Sequence, residues 1–441
     1  MIETEQTIMN LPGPNAKAIV ERDQRVLAPC TGRVYPLVID HAQGCEVWDV
    51  DGNRFLDMAA GIAVLAAGHS HPRLVAAMQA QAARFTHFAG TDYYSESMVQ
   101  VAEALVASMP ATHEWQTFLT NSGTEAVELC LKLARYATGR QNIIGFFGAF
   151  HGRSYGSLSV TASKPLQREG YFPLLPGTTH SFYPTCHRCP INLSYPDCQI
   201  ACIDLIERVL FQTTTPARDV AAIIVEPIQG EGGYIVPPPG AMQRLREICD
   251  RHGILLVLDE VQSGIGRTGK MWAFEHEQIV PDIVASAKGL GGGMPIGAVL
   301  ARAELTRPWK PGAHGSTYSG NGMACVAALE TLALVREGLM DNAAQMGTLL
   351  MDGLHALQHR HPQIGFVRGR GLMIGVELIE PETGAPARDL ANAVMQAAFQ
   401  RGLLILTCGV SSIRFCPPLI ITAAEIEEAL RLFEESLQAC L

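Results

Sequence analysis

Five apolar runs constrain the fold of this chain more tightly than any other feature. They are IIGFF (143–147), VAAIIV (220–225), ILLVL (254–258), DIVAS (282–286) and IGAVLA (296–301). Each is strand-length, and none alternates apolar with polar residues. A strand that is apolar on both sides must be covered on both faces. Helical stretches, such as the one predicted at about 240–252, separate these runs. That order predicts a mostly parallel sheet with helices on both faces. A shorter strand is predicted to end at Phe118 and Leu119.

The ends of these runs carry the chemistry. In such sheets ligands bind off the carboxyl ends of the strands, and Glu226, Asp259 and Lys288 lie at or just after such ends. Lys288 sits between Ile283, Val284 and Ala285 on one side and Gly289, Gly291, Gly292 and Gly293 on the other. Small residues let something bulky approach the backbone. A lysine in a closed pocket loses hydration, so its amine becomes available as a nucleophile. The turn Asn121, Ser122, Gly123, Thr124 opens a predicted helix with Leu129, Leu133 and Ala137 on one face. Free N–H groups at a helix start, with Ser and Thr hydroxyls, make an anion cradle suited to phosphate. An ordinary N-cap reads the same way.

The remaining pattern divides the chain. Residues 1–65 read as an N-terminal arm and part of a small domain, with a hairpin turn at Asp51 and Gly52. His69 and His71 precede Pro72 in a turn before a helix at about 73–85. Residues 66–329 form the large domain. Residues 330–441 alternate helices (342–360, 387–401, 423–439) with short β pieces and form a second α+β domain packed with the early strands. At 441 residues, 48% hydrophobic and 17% charged, the chain can bury a large core. Its formal charge of -10 and lack of a basic block argue against nucleic acid. No run approaches a membrane span, the N-terminus does not read as a signal peptide, and a cytoplasmic protein is expected.

GIAVLAAGHSHP, TNSGTEAVE, FHGRS, EPIQGEGG, LDEVQSGIGRTG, AKGLGGGMPIGA, GSTYSGN and RGRGLMIGVEL occur in that order over about residues 44–420. Together they resemble the class-III (ω-amino acid) aminotransferases, fold-type I α/β enzymes dependent on pyridoxal phosphate. The resemblance implies that Lys288 carries the cofactor as a Schiff base and then moves the proton. Asp259 would keep the pyridine nitrogen protonated, supported by Glu226. Val261 and Phe150 would cover the two ring faces, Gln262 would reach the phenolic oxygen, and His151 would join the cofactor site. Ser122, Gly123 and Thr124 would hold the phosphate. Ser316 and Thr317 would reach the phosphate of a neighbouring subunit, which implies a homodimer.

The resemblance also speaks to substrate. Arg153, in FHGRS, would bind the distal carboxylate of an ω-amino donor. Arg414 would bind the α-carboxylate of 2-oxoglutarate or glutamate, and Glu231 would neutralise Arg414 when no α-carboxylate is present. Ile62 matches the apolar residue of 4-aminobutyrate enzymes, where ornithine-type enzymes carry a polar or aromatic one. Transfer of the terminal amino group of 4-aminobutyrate or a similar ω-amino acid to 2-oxoglutarate is expected. Residues 183–202, YPTCHRCPINLSYPDCQIAC, depart from the common pattern and resemble an insert shared with a subgroup that includes amino-acid racemases of the same cofactor. Cys186, Cys189, Cys198 and Cys202 leave two readings open, a thiolate metal site or free thiols.

Overall fold

The computed structural model describes residues 8–441; the first seven residues of the arm lie outside the described residues. The arm continues as a helix, Pro14–Val26, whose leading proline is pre-set for a first turn. Asp51 accepts the backbone N–H groups of Asn15 and Ala16 at 2.9 Å each, tying the arm to the strands that follow. These are β1 (Ile39–Gln43), β2 (Glu46–Asp49) and β3 (Arg54–Asp57), an antiparallel meander. Gly52 takes the left-handed turn between β2 and β3 at φ 85°, as the Asp-Gly signal requires. Pro72–Arg84 is the next long helix, with His71 as its N-cap; His69 instead meets Asp57 at 2.8 Å.

The large sheet contains β4 (Trp115–Thr120), β5 (Asn142–Phe146), β6 (Thr178–Ser181), β7 (Val220–Val225), β8 (Leu255–Asp259), β9 (Ile283–Ser286) and β10 (Gly297–Arg302). Their spatial order is β4-β10-β9-β8-β7-β5-β6. The pairs among β6, β5, β7, β8 and β9 are parallel. β10 runs antiparallel to both its neighbours, so β4 points the same way as β9. The reversal has a simple cause: only residues 287–296 join β9 to β10, fewer than a parallel crossover needs.

Successive residues of these strands point to opposite faces. Ile143, Ile224, Val257 and Ile283 pack with Ala126, Cys130, Leu133 and Ala134 of the helix Gly123–Thr138. Their neighbours Ile144, Ile223, Leu256 and Val284 join the core on the other side, with Leu245 and Ile248 of the helix Ala241–His252. This is why the runs read as continuously apolar. The predicted apolar face of the first helix is corrected at one place. Ala137 is exposed, because the stripe ends at Ala134, before the left-handed cap Gly139.

Beyond the helix Gly322–Leu334 come β11 (Ile364–Arg370), β12 (Met373–Leu378), β13 (Leu403–Leu404), β14 (Leu406–Cys408) and β15 (Ser412–Phe415). β11-β12-β15-β14 form an antiparallel sheet. β13 leaves it and pairs in parallel with β3, Leu403 opposite Leu56, so the two chain ends share a sheet. Helices Met340–Arg360, Arg388–Gln400 and Ala423–Gln438 accompany these strands, within two residues of the predicted limits. Among the described residues no helix is long and apolar enough to cross a membrane.

Candidate active site

All of β4 to β9 present their carboxyl ends to one edge of the large sheet, and a cavity of about 450 Å³ opens there. Residues 121–124 after β4, 150–153 after β5, Glu226 after β7, Asp259, Val261 and Gln262 at the end of β8, and Lys288 after β9 all line it. Elements far apart in sequence are brought together by strand order alone.

One end of the cavity is a helix start. Ser122 is the N-cap of Gly123–Thr138 and accepts the N–H of Glu125 at 3.3 Å. The first-turn N–H groups of Gly123 and Thr124 have no intrahelical acceptor. The Thr124 hydroxyl lies 2.7 Å from that of Ser154 and 2.6 Å from that of Ser157, and it accepts the N–H groups of Arg153 and Ser154 at 3.2 Å each. Two glycines are needed for this closeness. A Cβ on Gly123 would stand 2.8 Å from Val261 Cγ1, and one on Gly152, at φ 130°, would collide with the Thr124 hydroxyl.

The floor is charged. Asp259 is 5% exposed; its Oδ2 lies 2.7 Å from His151 Nδ1 and its Oδ1 accepts the Val261 N–H at 3.0 Å. Burial works against a charged His151, but the hydrogen bond and charge of Asp259, with the charge of Glu226, outweigh it and raise the ring above its ordinary value. The other ring nitrogen, Nε2, is buried without a partner. Glu226 accepts the N–H groups of Phe150 at 3.0 Å and Gly230 at 2.8 Å. Burial pushes its carboxyl up to about 7, with Asp259 adding to the rise and His151 opposing it. Burial, then the Arg414 guanidinium, lowers the amine of Lys288 against the pull of Asp259 and Glu226. Lys288 also holds a left-handed backbone, φ 41°, which costs a non-glycine residue about 1–3 kcal/mol and is found mostly at functional sites.

The two arginines are in different states. Arg153 is exposed on the cavity wall, 6.0 Å from the Phe150 ring centre, with no ion-pair partner among the described residues. Arg414, on β15, is buried. Its Nη1 meets Glu231 Oε2 at 3.2 Å while its Nε has no partner. Glu231 also accepts from Lys164 Nζ at 2.6 Å. Gln262 Oε1 accepts the Tyr234 hydroxyl at 2.6 Å, and its Nε2 packs over Gly230, 2.7 Å from where a Cβ would stand.

Four expected residues stand off the cavity wall, among them Arg414, which meets it only through Glu231. Ile62 is 44% exposed, and Val64 lines the wall in its place. The turn around it is left-handed at both Gly61 and Ile62, which re-aims the side chains. Ser316 and Thr317 also lie outside the wall, although Asn121, which lines it, donates to Ser316 at 3.0 Å. Lys164 and Tyr234 were not singled out by the sequence. Nothing local to them carries a signal, since their partners lie 67 and 28 residues away.

In the insert burial raises the Cys186 and Cys202 thiols, and Cys189 and Cys198 lie close enough to both for their charge to add to the rise. Among the described residues no three His, Cys, Asp or Glu side chains are arranged to hold a metal ion. The insert is held otherwise. His187 stacks on Phe366 with ring centres 4.2 Å apart, Arg188 pairs with Glu377 at 2.7 Å, and the Cys189 sulfur accepts the Leu193 N–H at 3.4 Å. Burial pushes the Cys202 thiol up to about 11, and all twelve cysteines are free.

The cavity fits pyridoxal phosphate. It has open N–H groups for a phosphate, a half-buried amine of lowered basicity, a carboxylate on the floor, and Val261 and Phe150 as walls.

Comparison with known proteins agrees. Residues 28–437 match the family model Aminotransferase class-III. The 4-aminobutyrate aminotransferase GabT of Escherichia coli (strain K12) is 39% identical over 424 residues, 95% of this chain and 97% of that protein. The acetylornithine aminotransferase of Methanopyrus kandleri is 41% identical over 92% of this chain and 95% of its own length. Among solved structures, an amine transaminase from an uncultivated Pseudomonas species, in its PLP-bound form, superposes with a TM-score of 0.86 at 32% identity, covering 94% of this chain and 97% of that one.

Proposed function

The chain belongs to the class-III aminotransferases, enzymes dependent on pyridoxal phosphate, and from that premise we propose that it moves the terminal amino group of 4-aminobutyrate or a similar ω-amino acid to 2-oxoglutarate, giving a semialdehyde and glutamate. The observation that carries this reading is the pair of arginines, Arg153 unpaired on the cavity wall and Arg414 buried behind the wall residue Glu231, which neutralises it. An ω-amino acid offers one carboxylate, distal to the reacting amine. Glutamate and 2-oxoglutarate offer a second one beside the reacting carbon. Arg153 serves the first, and Arg414, once released by Glu231, serves the second in the forked geometry that suits carboxylates.

When bound, the cofactor supplies an electron-withdrawing ring and stores the amino group between the two half-reactions. The protein supplies the rest. Gly123 and Thr124 bind the phosphate through first-turn N–H groups, with Ser122 fixing that turn. Asp259, oriented by His151 at 2.7 Å, would hold positive charge on the ring nitrogen. Opposite unit charges about 4 Å apart at an effective dielectric near 20 attract by about 4 kcal/mol, the scale of what Asp259 would supply. Val261 and Phe150 would cover the ring faces, and Gln262, held through its Oε1 by the Tyr234 hydroxyl, would offer its amide N–H to the phenolic oxygen. Lys288 uses its lowered basicity first as nucleophile and then to carry the proton at the substrate carbon. Glu226, poised near neutrality, balances the charge of Asp259 and His151. Ser316 and Thr317 lie off the wall of their own cavity, consistent with a homodimer in which they complete the partner's phosphate site.

The test is to incubate the purified holoenzyme with 4-aminobutyrate and 2-oxoglutarate and follow glutamate, with Lys288→Ala as control. Glutamate from the wild type alone supports the reading. No glutamate from any of several ω-amino donors overturns it.

A further inference from the structure

Glu231 stands between two cations on different sides. Its Oε2 meets Arg414 at 3.2 Å, and its Oε1 meets Lys164 at 2.6 Å. The Arg414 side chain is 7% exposed and that of Lys164 38%. Glu231 lines the main cavity. Lys164 does not; it lines a separate outer cavity of about 340 Å³ beside Gly409 and Val410. The main chain around Glu231 is pinned. Its carbonyl accepts the Gly409 N–H at 2.8 Å, and the Gly233 carbonyl accepts two guanidinium N–H groups of Arg368 at 2.9 and 2.6 Å. With the backbone held, the carboxylate moves by side-chain rotation alone.

We propose that Lys164 is the second seat of Glu231: a positioning residue that holds this carboxylate away from Arg414 while an α-carboxylate occupies the guanidinium. The inference rests on the arginine reading under Proposed function. A partly buried carboxylate displaced from its only cation is left uncompensated, which is costly. Glu231 already touches Lys164, so leaving Arg414 strands no charge. Lysine suits the seat, being a flexible point charge with three donors whose exposed portion stays hydrated. With an ω-amino acid bound, Glu231 bridges both cations and neutralises Arg414. With glutamate or 2-oxoglutarate bound, it keeps Lys164 alone.

The experiment measures the two half-reactions separately, from the absorbance of the bound cofactor, in wild type, Lys164→Gln and Lys164→Arg. In Lys164→Gln the carboxylate has only Arg414, so the ratio of the glutamate to the 4-aminobutyrate rate constant (kcat/KM) falls about tenfold, carried mostly by KM for glutamate. Lys164→Arg restores the ratio. The dissociation constant of 2-oxoglutarate for the holoenzyme, by calorimetry, rises in parallel in Lys164→Gln. An unchanged ratio, including an equal fall in both half-reactions, overturns the inference. Glu231→Gln separates the two levels of argument. If it leaves the ratio unmoved, the arginine reading fails and the present inference with it. If it raises the ratio while Lys164→Gln has no effect, only the second seat fails. In the Glu231→Gln background Lys164→Gln has no further effect on the ratio, because the carboxylate it positions is gone.

Discussion

Gly123→Ala is the sharpest test of how the phosphate end of the cavity is built. The added Cβ would lie 2.8 Å from Val261 Cγ1 and 3.1 Å from Cγ2. Carbon atoms are comfortable from about 3.5 Å, so Val261 must retreat by roughly 0.7 Å. In the cofactor-free protein it has somewhere to go, the adjoining cavity of about 450 Å³ that it lines. With the cofactor in place that space is filled, and the strain falls on the holoenzyme. Overpacking of this kind costs about 1–3 kcal/mol, which translates to about a 5- to 150-fold rise in the dissociation constant of pyridoxal phosphate. Equilibrium dialysis of the cofactor-free variant measures it. Gly139→Ala is the control, because its Cβ meets nothing within 4 Å but its φ of 68° disfavours any side chain. It lowers the melting temperature, costing about 1–2 kcal/mol, and leaves cofactor affinity alone. Gly123→Ala binding within twofold of wild type would refute the reasoning, since Val261 could not then be packed against both the helix start and the cofactor.

Three further outcomes are expected. The Glu226 carboxyl, raised by burial to about 7, keeps its proton in the folded state where the unfolded chain has lost it; stability therefore falls as pH rises from the unfolded value toward 7, by roughly 3 kcal/mol. Urea unfolding of cofactor-free Glu226→Gln at pH 5 and pH 8 should show that part of the decline removed, whatever the fixed offset from the lost hydrogen bond; an identical decline refutes it. Asp259→Asn removes the charge opposite the ring nitrogen, and loss of about 4 kcal/mol slows the 4-aminobutyrate half-reaction about 10³-fold; stopped-flow rates within tenfold of wild type would refute the assignment. Arg188→Ala removes the shorter of the insert's two contacts with Glu377, which keeps His187 at 3.5 Å and Arg368 at 3.0 Å. Global stability changes by less than about 1 kcal/mol, while limited proteolysis within 183–202 accelerates; an unchanged cleavage rate shows that other contacts hold the insert.

What was legible in the sequence follows the range of the interactions. The turn at Asp51 and Gly52 and the N-cap at Ser122 are decided within a few residues, and both are where the pattern put them. The two-sided apolar runs declared a covered sheet. The direction of β10 did not show in its composition; only the short link from β9 contains it. Ile62 was chosen by motif, but the left-handed backbone at Gly61 and Ile62 hands the wall to Val64. The insert was read from its thiols, whereas His187 and Arg188 between them decide how it is held, by docking on Phe366 and Glu377, residues nearly two hundred positions away. Lys164 carried no signal, because a lysine becomes a seat only when the fold places a carboxylate beside it.

The pairing of β13 with β3 has a consequence for synthesis. Leu403 completes a sheet whose other strands end by Asp57, 347 residues after its partner Leu56. A ribosome adding about 5–20 residues per second needs about 17 to 70 s to cover that distance. For that interval β3 has emerged with an unpaired edge, and open strand edges invite pairing with another chain. The large sheet, whose strands all lie between residues 115 and 302, can be assembled well before then. Translation speed and the crowding of nascent chains on one message should therefore govern the yield of this protein more than the stability of its finished fold. A circular permutant that places 403–441 ahead of residue 8 would remove the wait.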